Sequence, residues 1–514
     1  MEMKLADIKL EIEKLLKYAL EKELLNRWDV VPARNSILDL LEIKEPASKS
    51  FADLDYEVPE SPQDILDNLL DYAAQEGILE KDTITYRDLF DTRIMGQLMP
   101  RQSEVAAEFW QRAKEESIKE ATKNYYALAQ HSNYIRQDRI AKNMSWRTET
   151  EYGELEITIN LSKPEKDPTA IADAKEEEET NYPQCYLCLE NVGYPGRLDH
   201  PARQTHRVIP IELNQKQWFL QYSPYVYYNE HCIVFYEEHT PMNIDQETFS
   251  TILEFVEEIP HYFLGSNADL PLVGGSILNH DHFQGGNHKF PMEKAAIEEE
   301  FSHPQFPNLE IGIVDWPMSV IRLKGAKREE LAQLGGLIHR AWKEYSDEKR
   351  AIKAFSEGQR HNTITPIARK KDDCFELDLV LRNNRKSQKY PDGIFHPHQE
   401  LHHIKKENIG LIEVMGRAIL PGRLKEELKQ IKEYLTGVKD YQRDKLEEDL
   451  TAHADWIEEM LKTYDSNLKP DKAHKILERE VGEKFKRVLA DAGVYKRNQD
   501  GREGFKEFLA EIID

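Results

Sequence analysis

Gly274-Gly275-Ser276-Ile277-Leu278-Asn279-His280-Asp281-His282-Phe283-Gln284-Gly285-Gly286 carries the sharpest chemical signal in this chain. His280, His282 and Gln284 alternate with other residues, so an extended backbone would set these three side chains on one face and turn Asp281 and Phe283 away. Glycines at both ends let backbone approach a ligand closely. An imidazole held in one tautomer is a competent nucleophile toward phosphorus, and a neighbouring amide can donate to a phosphoryl oxygen. A His-x-His pair alone also suits a metal; the glycines and Gln284 favour catalysis.

The surroundings agree. Of 18 histidines in 514 residues, 15 lie between His200 and His403, which places titratable and metal-binding chemistry in the middle of the chain. The length implies about three structural units at roughly 100–200 residues each. A formal net charge of −25, from 69 Lys+Arg against 94 Asp+Glu, argues against a nucleic-acid or anionic-membrane surface. Four cysteines argue for a reducing compartment rather than a disulfide scaffold. No apolar run has the length of a membrane span and Met1-Glu2-Met3-Lys4-Leu5-Ala6-Asp7 lacks a signal-peptide pattern, so the expected location is cytoplasmic. The sequence allows a homodimer.

Outward from the motif, residues 1–140 read as helical. Ile8, Ile12, Leu15, Leu16 and Ala19 recur at helical spacing; Ser61-Pro62 predicts an N-cap with Pro at the first helical position; Glu104 to Tyr126 reads as one long amphipathic stretch. At Glu154 the period changes to 2: Leu155, Ile157, Ile159 and Leu161 alternate with Glu156, Thr158 and Asn160, a half-buried strand. Pro164 to Thr180, with Pro168 and Glu176 to Glu179, reads as a solvated linker. From Tyr182 to about Leu420 the chain reads as mixed α/β. Strands are expected at Cys232–Tyr236, Leu272-Val273, Ile311–Val314, Phe375–Leu381 and Ile409–Val414, with helices at Thr248–Ile259 and Arg328–Tyr345. So many strands exclude a doubly wound dinucleotide fold. No GxGxxG or Walker motif appears, and no organic cofactor is expected. Helices return after Leu424, broken at Gly437, Pro470 and Gly493.

Cys185-Tyr186-Leu187-Cys188 offers half of a tetrahedral zinc site, or a redox pair if set in a thioredoxin-like strand–helix context, which is not evident here. In Tyr390 to Lys406, His396, His398, His402, His403, Lys405 and Lys406 could ligate a metal, grip a phosphate, or merely line a polar loop after the turn at Pro391-Asp392-Gly393. Just upstream, Arg382 and Arg385 present guanidinium forks suited to phosphate oxygens. Residues 353–406 hold 11 Lys+Arg against 7 Asp+Glu, a basic stretch in an acidic chain where an anionic ligand could be held. The aromatics of Trp218 to Asn229 suit core packing or a base-stacking wall. Arg207 has no assigned part.

The signature resembles the His-Pro-His-Gly-Gln active site of galactose-1-phosphate uridylyltransferases, a branch of the histidine-triad superfamily whose hydrolases carry a third histidine where Gln284 stands. The helical start and the Phe395-His396-Pro397-His398 stretch are similar to the class II, bacterial form. The resemblance implies an α/β (α+β) fold of histidine-triad-like mixed sheets with helical N-terminal and C-terminal additions. It divides the chain into a helical domain over 1–150, a catalytic half over 151–300, a second half on the sugar-phosphate side over 301–424, and a helical region over 425–514. It further implies that His282 attacks UDP-glucose to form a uridylyl-histidine, which galactose 1-phosphate resolves to UDP-galactose. Gln284 would hold the phosphoryl oxygens; an amide cannot act as an acid or activate water, so the intermediate survives for the second sugar phosphate. Ser276, Arg382, Arg385, Lys405 and Lys406 become candidates for binding phosphate. The resemblance also completes a structural zinc site from Cys185, Cys188, His239 and His280. Some members carry a second metal on a Trp-His element and a later His-x-His; counted from His361, that later pair falls on Glu376 and Asp378. Two further departures are the three residues between Ser276 and His280, where the better-known class has two, and Asp281 in place of proline. The rival readings are a nucleotide phosphorylase or hydrolase on the same scaffold, and a zinc-stabilised binding protein without catalysis.

Overall fold

The computed structural model describes residues 5–162, 180–464 and 467–513, so the expected linker from Pro164 lies, Thr180 apart, outside the described residues. Strands are numbered along the chain: β1 (Met144–Thr150), β2 (Gly153–Ile159), β3 (Ile209–Leu213), β4 (Lys216–Tyr222), β5 (Cys232–Tyr236), β6 (Phe263–Gly265), β7 (His282–Gly286), β8 (Ile297–Phe301), β9 (Glu310–Val314), β10 (Val320–Gly325), β11 (Phe355–Ser356), β12 (Gln359–Arg360), β13 (Asn362–Lys371), β14 (Cys374–Asn383) and β15 (Arg417–Leu420). Helices and antiparallel ladders make a mixed α+β fold, the class the sequence predicts. Two compact units result, one of Met1–Lys142 with Ser162–Thr240, the other of Asn143–Leu161 with Pro241–Asp514.

In the first unit, the helix Leu5–Glu21 buries Ile8, Ile12, Leu15, Leu16 and Ala19, the face its periodicity predicts, in one core with Ile65, Leu66, Leu69, Leu70 and Ala73 of the helix Gln63–Gln75. That second helix starts one residue later than expected: Pro62 is its N-cap, and Ser61 Oγ accepts from Gln63 N at 3.3 Å. The long stretch from Glu104 is two helices, Gln102–Glu115 and Ile118–His131. Ser117 breaks it, its hydroxyl accepting from Glu120 N at 3.1 Å, and Ser117-x-x-Glu120 is a capping-box pattern that a reading by hydrophobic period alone passes over. β3, β4 and β5 form an antiparallel meander that buries Trp218, Phe219 and Tyr222 as core. Arg207 is a staple here, donating to the carbonyls of Pro100, Gln204 and His206 at 2.8–2.9 Å.

In the second unit the strands run β7-β6-β13-β14-β10-β9-β8, each antiparallel to the next. The β13–β14 ladder is the spine, in register from Asn362 opposite Asn383 to Lys371 opposite Cys374. The helices Gln246–Glu258 and Arg328–Glu344 pack on this sheet through Phe249, Phe255, Ile338 and Trp342. Trp342 Nε1 donates to the carbonyls of Thr363 and Arg382, at 3.0 and 3.2 Å, at the end of the spine. A smaller sheet orders β1-β2-β15, with β15 parallel to β2, and the helix Pro470–Ala492 lies over it.

Two expected strands are not strands. Leu272-Val273 is a turn, with Leu272 at φ 71°. Ile409–Val414 contains a helical turn, Leu411–Val414, because Asn267 Oδ1 accepts from Leu411 N at 2.9 Å and Glu413 Oε2 accepts from Gly410 N at 3.2 Å. β2 is buried on both faces: Glu156 and Thr158, read as its solvent side, are 6% and 3% exposed. Their partners come from β15 and from the segment after β7.

Candidate active site

His282 opens β7, which is paired with β6 so that Gly265 faces Gln284 and Phe263 faces Gly286. The strand begins at His282, so His280 precedes the pleat and the predicted shared face extends only from His282 to Gln284. His282 is buried and Gln284 half-buried. Nδ1 of His282 lies 2.8 Å from the carbonyl oxygen of His280. A carbonyl only accepts, so Nδ1 carries the proton and Nε2 the lone pair. Burial pushes this imidazole down to about 4. His280 itself is fully buried.

The approach to β7 is fixed by its neighbours. Gly274 O accepts from Asn408 Nδ2 at 3.4 Å and Leu278 O accepts from Met242 N at 3.0 Å. A Cβ on Gly274 would stand 2.3 Å from the Ala268 carbonyl oxygen, so this glycine serves the close packing of the loop on itself. Beyond β7, His288 Nε2 and Arg417 Nη1 reach Glu156 Oε2 at 2.9 and 2.8 Å and tie the strand to β2 and β15. Burial alone would raise the Glu156 carboxyl, but His288 and Arg417 outweigh it and hold it below the usual carboxylate range.

In the first unit, Cys185 Sγ and Cys188 Sγ are 3.4 Å apart and Cys188 Sγ is 3.1 Å from His239 Nδ1. Ligands about 2.3 Å from a tetrahedral zinc stand about 3.8 Å apart, so this soft sulfur–nitrogen set is of a size and type to hold a metal such as zinc. Burial first, and then the Cys185 thiol, push Cys188 up to about 12; a divalent cation would draw off such protons. Asn191 clamps the turn, donating from Nδ2 to the carbonyls of both cysteines at 2.8 Å, and His200 Nε2 meets Asn191 Oδ1 at 2.7 Å. Neither residue stands out in the sequence, because an asparagine three residues after a cysteine has no spacing signature.

The cationic candidates have diverse surroundings. Arg382 is 1% exposed, donates to Ile409 O at 2.8 Å and Thr365 Oγ1 at 3.3 Å, and is lowered to about 10 by burial. Lys405 is buried against Glu413 Oε1 at 3.0 Å and Ile419 O at 3.1 Å. Arg385 is half-buried and donates to Ala351 O at 2.7 Å. Lys406 and Ser276 are exposed. In the histidine-rich loop, His398 stacks on Tyr390 with ring centres 4.2 Å apart, and His402 Nε2 meets Pro397 O at 2.9 Å. Glu376 and Asp378, at the positions counted for a second metal, face arginines instead. Arg369 reaches Glu376 and Asp378 at 2.6 Å each, and Arg322 holds Asp378 in a two-pronged pair at 2.7 and 2.9 Å. Burial would raise Asp378, yet the two guanidinium groups hold it below the usual carboxylate range.

Two family models match: the N-terminal domain of galactose-1-phosphate uridyl transferase over residues 24–241 and its C-terminal domain over 255–449. Relatives similar over nearly their whole length carry the name galactose-1-phosphate uridylyltransferase. That of Caldanaerobacter subterraneus is 54% identical over 98% of this chain and 98% of its own. That of Halalkalibacterium halodurans is 53% identical over 99% and 100%, and that of Bacillus subtilis 49% over 98% and 97%. Among solved structures, yeast Ap4A phosphorylase is similar at a TM-score of 0.32 and 12% identity, over 73% of this chain and 98% of that one. The chain is thus an enzyme of the nucleotidyltransferase class. It belongs to the galactose-1-phosphate uridylyltransferase family. No helix among the described residues is long and apolar enough to cross a membrane.

Proposed function

We propose that the chain transfers uridylyl groups from UDP-glucose to galactose 1-phosphate through His282. Nε2 attacks the α-phosphorus, the bond to glucose 1-phosphate breaks, and a uridylyl-histidine forms. Galactose 1-phosphate then attacks that phosphorus, giving UDP-galactose and returning the free imidazole. The observation that carries this reading is the His282 Nδ1–His280 carbonyl bond, which sets the tautomer and leaves Nε2 as the nucleophilic nitrogen. Gln284, next on the same face of β7, is the proposed donor to the phosphoryl oxygens. Ser276, Arg385 and Lys406 are the proposed outer contacts for phosphate. Arg382 and Lys405, held on buried partners, are proposed to support the site from within the fold.

Zinc is the proposed metal on Cys185, Cys188 and His239, with His280 as fourth ligand as the resemblance implies; its part is to stabilise the fold around the nucleophile. The proposed location is the cytoplasm.

UDP-glucose labelled in its uridine tests the reading. The expected result is an acid-labile label on His282 that galactose 1-phosphate discharges, and none on His282→Gly. Absence of label in a single turnover would overturn the covalent route. Steady UMP release without a second sugar phosphate would favour the hydrolase instead.

A further inference from the structure

The larger unit holds a second constellation, made of residues to which the proposed uridylyl transfer assigns no role. Ser356 is exposed on the hairpin β11–β12, whose turn is Glu357-Gly358. His361 follows that hairpin and is 7% exposed; Asn384 follows β14. Ser356 Oγ lies 2.5 Å from His361 Nε2, and His361 Nδ1 lies 2.8 Å from Asn384 Oδ1.

The direction of every proton in this row follows from its far end. Asn384 Nδ2 is 3.3 Å from the carbonyl of Pro271, which only accepts, so the amide nitrogen belongs there and Oδ1 faces the imidazole. Nδ1 of His361 must then carry the hydrogen. Nε2 holds the lone pair, and the hydroxyl of Ser356 donates to it. The backbone locks His361 and Asn384, since Asn384 N donates to His361 O at 3.1 Å and His361 N to Ala354 O at 2.8 Å. Arg360 anchors the hairpin's other strand by donating to Asp269 Oδ2 at 2.7 Å. A hydroxyl on a base, a base held by an acceptor, and the hydroxyl facing solvent is the arrangement of an activated nucleophile.

We propose that Ser356, His361 and Asn384 form a serine nucleophile site that takes activated carboxylic esters with small acyl groups. Ser356 Oγ bonds to the ester carbonyl carbon while its proton passes to His361 Nε2. The carbon–oxygen bond to the alcohol breaks and the alcohol departs with that proton, leaving an acyl-serine. Water, deprotonated by the same imidazole, releases the carboxylic acid and restores the hydroxyl. Asn384 is the positioning residue, holding the imidazole in the reactive tautomer.

The test uses the full chain and a fluorophosphonate probe, with the labelled peptide identified by mass spectrometry. The expected result is one label, on Ser356, absent in Ser356→Ala while that variant transfers uridylyl groups at the native rate. Labelling should slow by about 100-fold or more in His361→Gln, as loss of a general base costs about 10²–10⁴-fold. Asn384→Asp, which keeps the acceptor, should label at least as fast as the native chain, whereas Asn384→Leu should be slower. p-Nitrophenyl acetate should give a burst of p-nitrophenolate that Ser356→Ala lacks. No label on Ser356, or native-rate labelling of it in His361→Gln, would overturn the proposal and leave the row as a structural tie of the hairpin.

Discussion

Asn191 shows what a single unremarkable side chain can control. Its amide holds the carbonyls of Cys185 and Cys188, and His200 fixes the amide in turn. Side chains of this kind orient metal ligands, and removing them weakens metal affinity by about 10–100-fold. Asn191→Ala, reconstituted with the proposed zinc, should therefore yield it to a competing chelator at a correspondingly lower chelator concentration, with Cys185 and Cys188 untouched. Asp378 is the opposite case, a charge that stands out in the sequence for the wrong reason. It is 0% exposed and bound by Arg322 and Arg369, so Asp378→Asn leaves two buried guanidinium groups short of their counter-charge. Breaking one partner of a buried pair costs about 3–5 kcal/mol, and denaturant unfolding should show a loss of that size. The sequence shows a carboxylate at that position; it does not show that β10 and β13 bring arginines to both sides of it.

At the scale of elements, periodicity was a sound guide where one face of a helix meets one core, as at Ile8, Ile12 and Leu15. It failed where a local polar bond overrode it: Ser117 divided a stretch that reads as one helix, and Asn267 with Glu413 turned Ile409–Val414 from a strand to a helical turn. The helix Pro470–Ala492 illustrates a constraint that no pattern records. It lies so near β1 that a Cβ on Gly482 would stand 2.4 Å from the Thr148 side chain, and Glu478 O accepts from both Trp146 Nε1 and Thr148 Oγ1 at 3.0 and 3.2 Å. Gly482→Ala gains helix propensity but must push the helix from the strand, and overpacking of this kind costs about 1–3 kcal/mol. The expected outcome is a lower unfolding midpoint, which Thr148→Ser does not restore, because the Cβ and Oγ1 that serine keeps also stand 2.4 Å from the new Cβ.

Across the molecule, the histidine-rich middle sets the response to acid. His206, His339 and His403 are buried, and burial pushes them to about 3, about 4 and about 3, with Arg203, Lys343 and His453 adding to the effect in turn. The unfolded chain would bind protons at these sites from about pH 6.5 downward while the folded chain does not, so stability falls as pH falls below that value. Each group contributes on the order of 1–2 kcal/mol at pH 5. The carboxylate of Asp378, held low by its arginines, adds its loss only below about pH 4, because its stabilisation is present above the unfolded value and vanishes as pH falls through the folded one. Unfolding midpoints measured at pH 7.5, 6 and 5 should drop in that order, and His339→Gln should flatten the drop.

Features that depend on neighbours along the chain are legible from the residues alone: the helical periods, the Cys-x-x-Cys turn, the alternation of His282 and Gln284, and the basic stretch of residues 353–406. Which of those charges are buried inside the protein follows from the folded chain alone. Arg382, Lys405 and Asp378 look equally available in a string of letters, yet each is buried on partners contributed by other segments. Ser356 and Asn384, 28 positions apart in the chain, meet at His361 because β13 and β14 are in register. Burial and hydrogen-bond partnership are properties of where strands cross, and the free energy that fixes a proton or a charge comes from that surrounding rather than from the residue's own place in the sequence.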